Sequence, residues 1–369
     1  MSSPERVSVV GAVTMDRTKR TLLLVGNPRA HPSSTALLER LGALLNEAVD
    51  QVQVLSAAAP AKGRTATWTP FEVRAKWFPA EVFEATWRFM ASARRLASLP
   101  DAAIVLPVYF PLILLVLRIW GIRTACFLAS WFPAPIRILV RLSVRLSHLV
   151  ICESDQTARL WGYAPDQSRV FVSGFIADNT FFRAPSIDSH PDCVSFIGRL
   201  APGKGILEFL QAAVLVLREQ PNTHFLVAGD GPLRSRAAEF VVQNGLESRI
   251  QFLGWVEREF LPNVLGRTLL LVIPSSHEGA PNIAFEAMGL GVPILATPVG
   301  MIPEVIRDGE TGFLLPGNSP VTIAENIRRA LNSGRLEEIS VAARRLIEQG
   351  YGYESSLRKW QEIVGRLLV

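Results

Sequence analysis

Cysteine is scarce in this sequence and scattered where it occurs. Cys126, Cys152 and Cys193 lie far apart, with no C-x-x-C pair and no histidine at metal-binding spacing. A disulfide framework and a metal site are therefore not expected, and a reducing, cytoplasmic compartment is. Acid is missing from one whole segment. No Asp or Glu occurs between Asp101 and Glu153, whereas Arg118, Arg123, Arg137, Arg141 and Arg145 all fall there. A secretory leader is not evident either: the apolar run at 7–13 is short and no cleavage pattern follows it. Residues 1–20 read as a loose extension, with Met15 as an alternative start. Repeats at solenoid periods and low-complexity tracts are also absent from the sequence.

What is present fits two globular cores. The chain has 369 residues, of which 49% are hydrophobic and 19% charged. The formal net charge of +5 points to an anionic partner, though not to nucleic acid. The basic, acid-free segment is also apolar. Its run "AAIVLPVYFPLILLVLRIW" (102–120) has the length of a membrane span, but Pro107 and Pro111 interrupt it. A buried strand at 102–109 followed by a core helix at 111–120 accounts for the same letters. Further on, Arg137, Arg141 and Arg145 recur every four residues and share one helical face, which suits an anionic membrane surface or a solvated stripe on a core helix.

Short apolar strands alternate with amphipathic helices along most of the chain. "TLLLVG", helix 34–50, "VQVLSA", "AAIVLP", "RTACFLA" and "SHLVICES" fill the first half. "CVSFIG", helix 205–219, "HFLVAG", helix 233–244, "IQFLGW", "LLLVIP", helix 281–289, "PILAT", helix 301–307 and "GFLLP" fill the second. This order predicts an α/β protein of two doubly wound, Rossmann-like lobes with parallel sheets facing a central cleft. The lobes are expected at 21–175 and 192–345, joined by an aperiodic Ser, Asp and Pro-rich linker at 176–191. A helix at 346–369 is expected to pack back on the N-terminal lobe.

The candidate site lies in the second half. "GRLAPGKG" (198–205) puts Arg199 and Lys204 in a glycine loop at a helix start, an anion cradle without the Ser or Thr of a Walker loop. In "PSSHEGAPNIAFEAMGLGVP" (274–293), Pro281 suits the first helical position, so backbone N–H groups over 279–283 offer a second place for phosphate. Glu278 and Glu286 flank that helix start. A carboxylate about 4 Å from a phosphate is repelled by several kcal/mol, so both should face donors such as sugar hydroxyls. Hydroxyls on either side of a diphosphate describe a nucleotide sugar.

With "FLVAGDGP" (225–232), "IQFLGWV" (250–256) and the run from Pro274 to Pro316, these stretches make the chain resemble a family 4 glycosyltransferase of the GT-B fold, a group of retaining enzymes. The resemblance implies that Arg199 and Lys204 neutralise the departing diphosphate and that Glu278 holds donor-sugar hydroxyls. It further implies that Gly279, Ala280, Pro281, Asn282 and Ile283 lie by the phosphates, Glu286 by the ribose and Val256 by the base. No metal or other cofactor is implied, and no general base. The acceptor side departs from the family: "NPRAHPSS" has Arg29 and His31 where a glycine pair is common, and Ser130 or Trp131 stands where many members have histidine. The acceptor expected is a glycan or a polyprenyl-linked glycan of surface polysaccharide assembly, reached from the cytoplasm.

Other residues have plainer readings. His277 beside Glu278 and Asp230 in "GDGP" read as structural, and tryptophans such as Trp77 and Trp87 as core or cleft wall. A scaffold that has lost turnover, and a phosphorylase or epimerase on the same fold, stay open as alternatives.

Overall fold

The computed structural model describes residues 20–26, 32–57, 67–70, 73, 80–96, 99–106, 110–128, 134–164, 169–172 and 193–369. The expected linker at 176–191 and nearly all of the N-terminal extension lie outside them.

Seven parallel strands form the first sheet: β1 (Thr21–Val25), β2 (Gln51–Ser56), β3 (Thr67–Pro70), β4 (Ala102–Val105), β5 (Arg123–Leu128), β6 (Leu149–Cys152) and β7 (Val170–Val172). Their spatial order is β3-β2-β1-β4-β5-β6-β7. Six parallel strands form the second: β8 (Cys193–Ile197), β9 (His224–Ala228), β10 (Ile250–Gly254), β11 (Thr268–Ile273), β12 (Ile294–Ala296) and β13 (Phe313–Leu314), in the order β10-β9-β8-β11-β12-β13. Both sheets are thus wound outward in two directions from their first strand.

Strands covered on both faces should be largely apolar, and the central ones are, with LLLV in β1, AAIV in β4 and LLLVI in β11. Leu23 and Val25 of β1 join a core with α2 (Ala80–Ala93), α3 (Pro111–Ile119) and α4 (Ala134–Leu146). Leu22 and Leu24 point the other way, toward α1 (Pro32–Leu45) and α13 (Tyr353–Leu368). In the second sheet, Val194, Phe225 and Val272 pack under α6 (Ile206–Glu219), α7 (Arg234–Gln243) and α11 (Pro320–Leu331). The opposite face meets α9 (Asn282–Gly289), α10 (Ile302–Val305) and α12 (Leu336–Gly350). Two short helices complete the set among the described residues, α5 (Asp155–Leu160) and α8 (Leu261–Gly266).

Several boundaries move. The helix read at 34–50 spans Pro32–Leu45, and the one read at 301–307 is a single turn, Ile302–Val305. Pro281 is the residue capping α9, with an extended ψ of 97°, so the helix begins at Asn282 and not at the proline. β3, β7, α2, α5, α8, α11 and most of α12 have no counterpart in the sequence reading. β3 ends on a proline at a sheet edge, and β7 has only three residues, too few to show a period. The apolar stretch 102–120 divides into β4 and α3, and no helix among the described residues is long and apolar enough to cross a membrane.

The chain then crosses back. The boundary read at residue 346 falls inside α12, which packs on α9 of the second lobe, while α13 buries Trp360, Ile363, Val364 and Leu367 in the first lobe's core, against α1 and β5. The Tyr353 hydroxyl donates to Glu47, which ties the start of α13 to the end of α1. Trp360 is fully buried. Trp360→Ala should therefore destabilise the protein by about 3–5 kcal/mol, read as urea unfolding of the full chain, with Trp360→Phe retaining most of the stability.

Candidate functional site

An open doubly wound sheet leaves a crevice at the carboxyl ends of its strands, where the winding reverses. In the second sheet that place lies between β8 and β11. The loop at 198–205 borders it on one side, the loop at 274–281 on the other.

Glycine lets these loops close on their neighbours. Gly229 has φ +136°, and a Cβ there would sit 1.9 Å from the carbonyl oxygen of Gly198; one on Gly231 would sit 2.5 Å from that of Leu200. The amides of Gly198 and Leu200 donate to the carbonyls of Ala228 and Asp230, each at 2.9 Å. Asp230 is occupied within its own turn, accepting the Gly231 N–H at 2.7 Å and pairing with Arg234 at 3.3 Å. At the far end of the first loop, Gly203 and Gly205 adopt φ near +80°, and Gly205 caps α6. The ring of His277 packs against Gly203, and its Nδ1 lies 3.0 Å from the Ser276 hydroxyl.

Lys204 reaches across to the second loop. Its Nζ donates to both oxygens of Glu278 at 2.7 Å, and the Ser275 hydroxyl donates to Glu278 Oε1 at the same distance. Thus the two charged residues that the sequence separates by 74 positions form one unit. Arg199 is exposed at the rim of the cleft.

Glu286 sits in the second turn of α9 and is only 3% exposed. A carboxylate so far from water must be met by cations. Arg258, on a 3-10 turn (Arg258–Phe260), donates through Nη1 to Glu286 Oε1 at 2.6 Å, and Arg40 of α1 brings its Nη1 to 3.8 Å from the same oxygen. Sequence reasoning missed both arginines. Arg258 follows Val256 by two residues in "GWVEREFLP" and was within reach of that reasoning; Arg40 belongs to the other lobe and carried no local signal. Beside it, burial pushes the Glu39 carboxyl up, against the pull of Arg40 and Arg258.

The loop at 278–281 is held from outside the cleft as well. Gly300 has φ +60° and approaches so closely that a Cβ would lie 2.1 Å from the Gly279 carbonyl oxygen, which accepts the Met301 N–H at 2.9 Å. Glu153, following β6, packs on Gly279: a Cβ there would meet its Oε2 at 2.0 Å. Glu304 of α10 lies beside the backbone of Asp155 and Gln156 of the first lobe, and its carboxyl is raised by burial and by the nearby Asp155.

The result is a cleft of about 740 Å³. Arg199, Lys204, Glu278 and Glu286 line it, with Val256, Arg258 and residues 280–283; Gly279 is turned toward Glu153 instead. The first-turn N–H groups of α9 add their dipole at Asn282 and Ile283. This arrangement suits a ligand with an anionic middle and hydroxyl groups at its ends. Arg29, His31, Trp77, Ser130 and Trp131 lie outside the described residues.

Residues 178–351 match the family described as glycosyl transferases group 1. This match covers a little under half of the chain. The match runs through both glycine loops and the whole of α9. Similar curated proteins include an alpha-D-kanosaminyltransferase of Streptomyces kanamyceticus, 30% identical over 41% of this chain and 39% of its own length. A D-inositol 3-phosphate glycosyltransferase of Rhodococcus jostii is 30% identical over 53% of this chain and 47% of its own. The chain thus spans about half the length of such relatives, or less. Likeness of fold extends further. Anabaena HepE, solved with UDP and glucose, superposes with a TM-score of 0.78 at 18% identity, covering 94% of this chain and 99% of that one. A sucrose-phosphate synthase from Thermosynechococcus elongatus gives 0.75 at 17% identity, covering 95% and 99%. The two lobes and their parallel sheets form a GT-B fold.

The glycine contacts carry a prediction. Gly229→Ala forces a side chain into positive φ and against the Gly198 carbonyl, and should lower stability by at least about 1–3 kcal/mol. Gly245→Ala, also at positive φ but with open space around the added methyl, should cost less. Thermal melts of the two variants measure the difference.

Proposed function

We propose that the protein is a retaining glycosyltransferase that moves a sugar from a UDP- or GDP-linked donor to a glycan or polyprenyl-linked acceptor. The observation that carries this reading is the meeting of Arg199, Lys204, Glu278 and Glu286 around one helix start in one cleft. The relatives are named as glycosyltransferases and the Anabaena neighbour was solved with UDP, which favours a nucleotide-sugar donor over free phosphate.

Each residue then has a task. Arg199, Lys204 and the α9 N-terminus stabilise the diphosphate as negative charge grows on it, in place of a metal ion. Glu278, steadied by Lys204 and Ser275, accepts from hydroxyls of the donor sugar. Glu286 accepts from the ribose, held in position by Arg258 and Arg40. Val256 and Trp255 wall the place for the base. Both glutamates are tied to cations, an arrangement unlike that of a free general base. Retention through the leaving phosphate, which takes the acceptor's proton on the donor's own face, agrees with that. The acid-free apolar segment 102–152 favours an acceptor of lipid-linked type, used in cytoplasmic steps of surface polysaccharide assembly.

Calorimetric titration with UDP, GDP and their sugars tests the donor site. One nucleotide class should bind saturably, and Glu286→Gln or Lys204→Ala should weaken it by about ten- to a hundredfold, the loss of a charge-assisted hydrogen bond of about 1.5–3 kcal/mol. Absence of binding by every nucleotide would move the scaffold reading to the front; binding of free phosphate alone would favour the phosphorylase. With the donor identified, EDTA should leave its slow hydrolysis unchanged. Proton NMR of the sugar released first should show the donor's own anomeric configuration, and the inverted anomer would refute retention.

A further inference from the structure

Helices that cover a sheet normally turn apolar residues inward and polar ones to water. The three on one face of the first sheet break this rule together. α2, α3 and α4 lie side by side, with Val82, Ala85 and Phe89, Ile113 and Leu117, and Val140 and Val144 buried beneath them. Yet each also carries an exposed apolar pair four residues apart, hence on one side of its helix: Phe83 and Trp87, Leu115 and Ile119, Ile138 and Leu142. Trp87 is 64% exposed, Ile119 73% and Ile138 72%. Trp87 is therefore neither core nor cleft wall, against the sequence expectation. Six large apolar side chains on adjacent helices form a field of the kind that marks an interaction surface.

Its charge has one sign on two of the three helices. α3 and α4 contain no acidic residue, and Arg118, Arg137, Arg141 and Arg145 are all exposed among the apolar pairs. Beyond the last turn of α4, Arg141 and Arg145 border a hollow of about 260 Å³ with Leu160, Trp161 and Tyr163. Two guanidiniums sharing the hollow with an indole and a phenol, with Leu160 68% exposed, provide cations for a phosphate and amphipathic rings for the polar–apolar boundary beside it.

We propose that this α2–α3–α4 face docks on an anionic phospholipid bilayer, with Phe83, Trp87, Ile119 and Ile138 entering the headgroup boundary and the Arg141–Arg145 hollow taking a lipid phosphate. Charge complementarity selects this occupant: an apolar field whose charges on α3 and α4 are all arginine matches a surface that is anionic outside and hydrocarbon within. In a parallel α/β lobe the helices after β4 and β5 start at the carboxyl ends of those strands, so the docked face borders the side on which the lobe's crevice opens. That a lipid-linked acceptor uses the proximity rests on the glycosyl-transfer reading; the docking itself does not.

Cosedimentation of the full chain with vesicles tests it, using phosphatidylglycerol and phosphatidylcholine in equal parts beside phosphatidylcholine alone. Binding should favour the anionic vesicles and fall with added salt. The pair Arg141→Gln and Arg145→Gln should weaken it by roughly tenfold or more, at about 1 kcal/mol per arginine near the surface. Phe83→Ser with Trp87→Ser should weaken it as well, although these exposed positions leave the thermal melt unchanged. Nucleotide titration of the same variants gives an independent reading, since none of these residues lines the donor cleft. Vesicle binding without nucleotide binding would defeat the glycosyl-transfer reading and leave the docking surface standing. Equal binding to both vesicle types, binding indifferent to the arginines, or self-association through Trp87 in place of vesicle binding would overturn the proposal.

Discussion

A buried carboxylate organises the centre of this molecule. Glu286 lies at a depth where an unpaired charge is not tolerated, and its answer comes from two places far apart in sequence, the turn after β10 and helix α1 of the opposite lobe. Arg258 can reach it only if β10 ends where it does, and Arg40 only if α1 presents its side to the second lobe. The ion cluster therefore imposes a condition on three elements at once. Such clusters add little net stability compared with an apolar core, but removing one partner leaves the others buried and unmatched, which makes the arrangement specific.

The same economy recurs around the cleft. Lys204 and Glu278 are both charged and both on loops, yet each fixes the other, and Ser275 takes up a further acceptor position. Glycines bring the loop backbones closer than any side chain would permit, at Gly198 against Gly229 and at Gly279 against Gly300. Backbone contact between loops, with no mobile side chains between them, is a rigid way to hold binding groups that are not on helices or strands. Contacts from Glu153 and Glu304 tie this rigid patch to the first lobe, and α13 returns the end of the chain there too.

The sequence made much of this legible, for a physical reason. Central parallel strands are covered on both faces, so they appear as unbroken apolar runs such as LLLV and LLLVI, and helix starts are marked by Gly205 and Pro281. β3 and β7 escaped because edge strands are short and need less burial. The cleft's own loops were legible through their glycines and their isolated charges. Arg40 was not: nothing in "LLERLGALL" distinguishes an arginine that crosses to another lobe from one on a solvated helix face. Trp87 shows the reverse failure, since a tryptophan in an amphipathic helix reads as core until its side of the helix is known.

On the proposed glycosyl-transfer reading, the two lobes differ in what they disclose because the ligands proposed for them differ in chemistry. A diphosphate flanked by hydroxyls demands cations, amide dipoles and carboxylates at fixed spacing, and these requirements leave a dense local pattern between Gly198 and Glu286. An acceptor recognised by shape, or brought along an interface, demands only a surface of suitable polarity, spread over helices whose residues are far apart in the chain. The α2–α3–α4 face has that character: no single stretch of it is a motif, yet three neighbouring helices each break the inside-outside rule at the same i, i+4 spacing. Independent departures of one kind, gathered on one face, are harder to attribute to drift than any one of them, and it is their convergence that gives the face its functional reading.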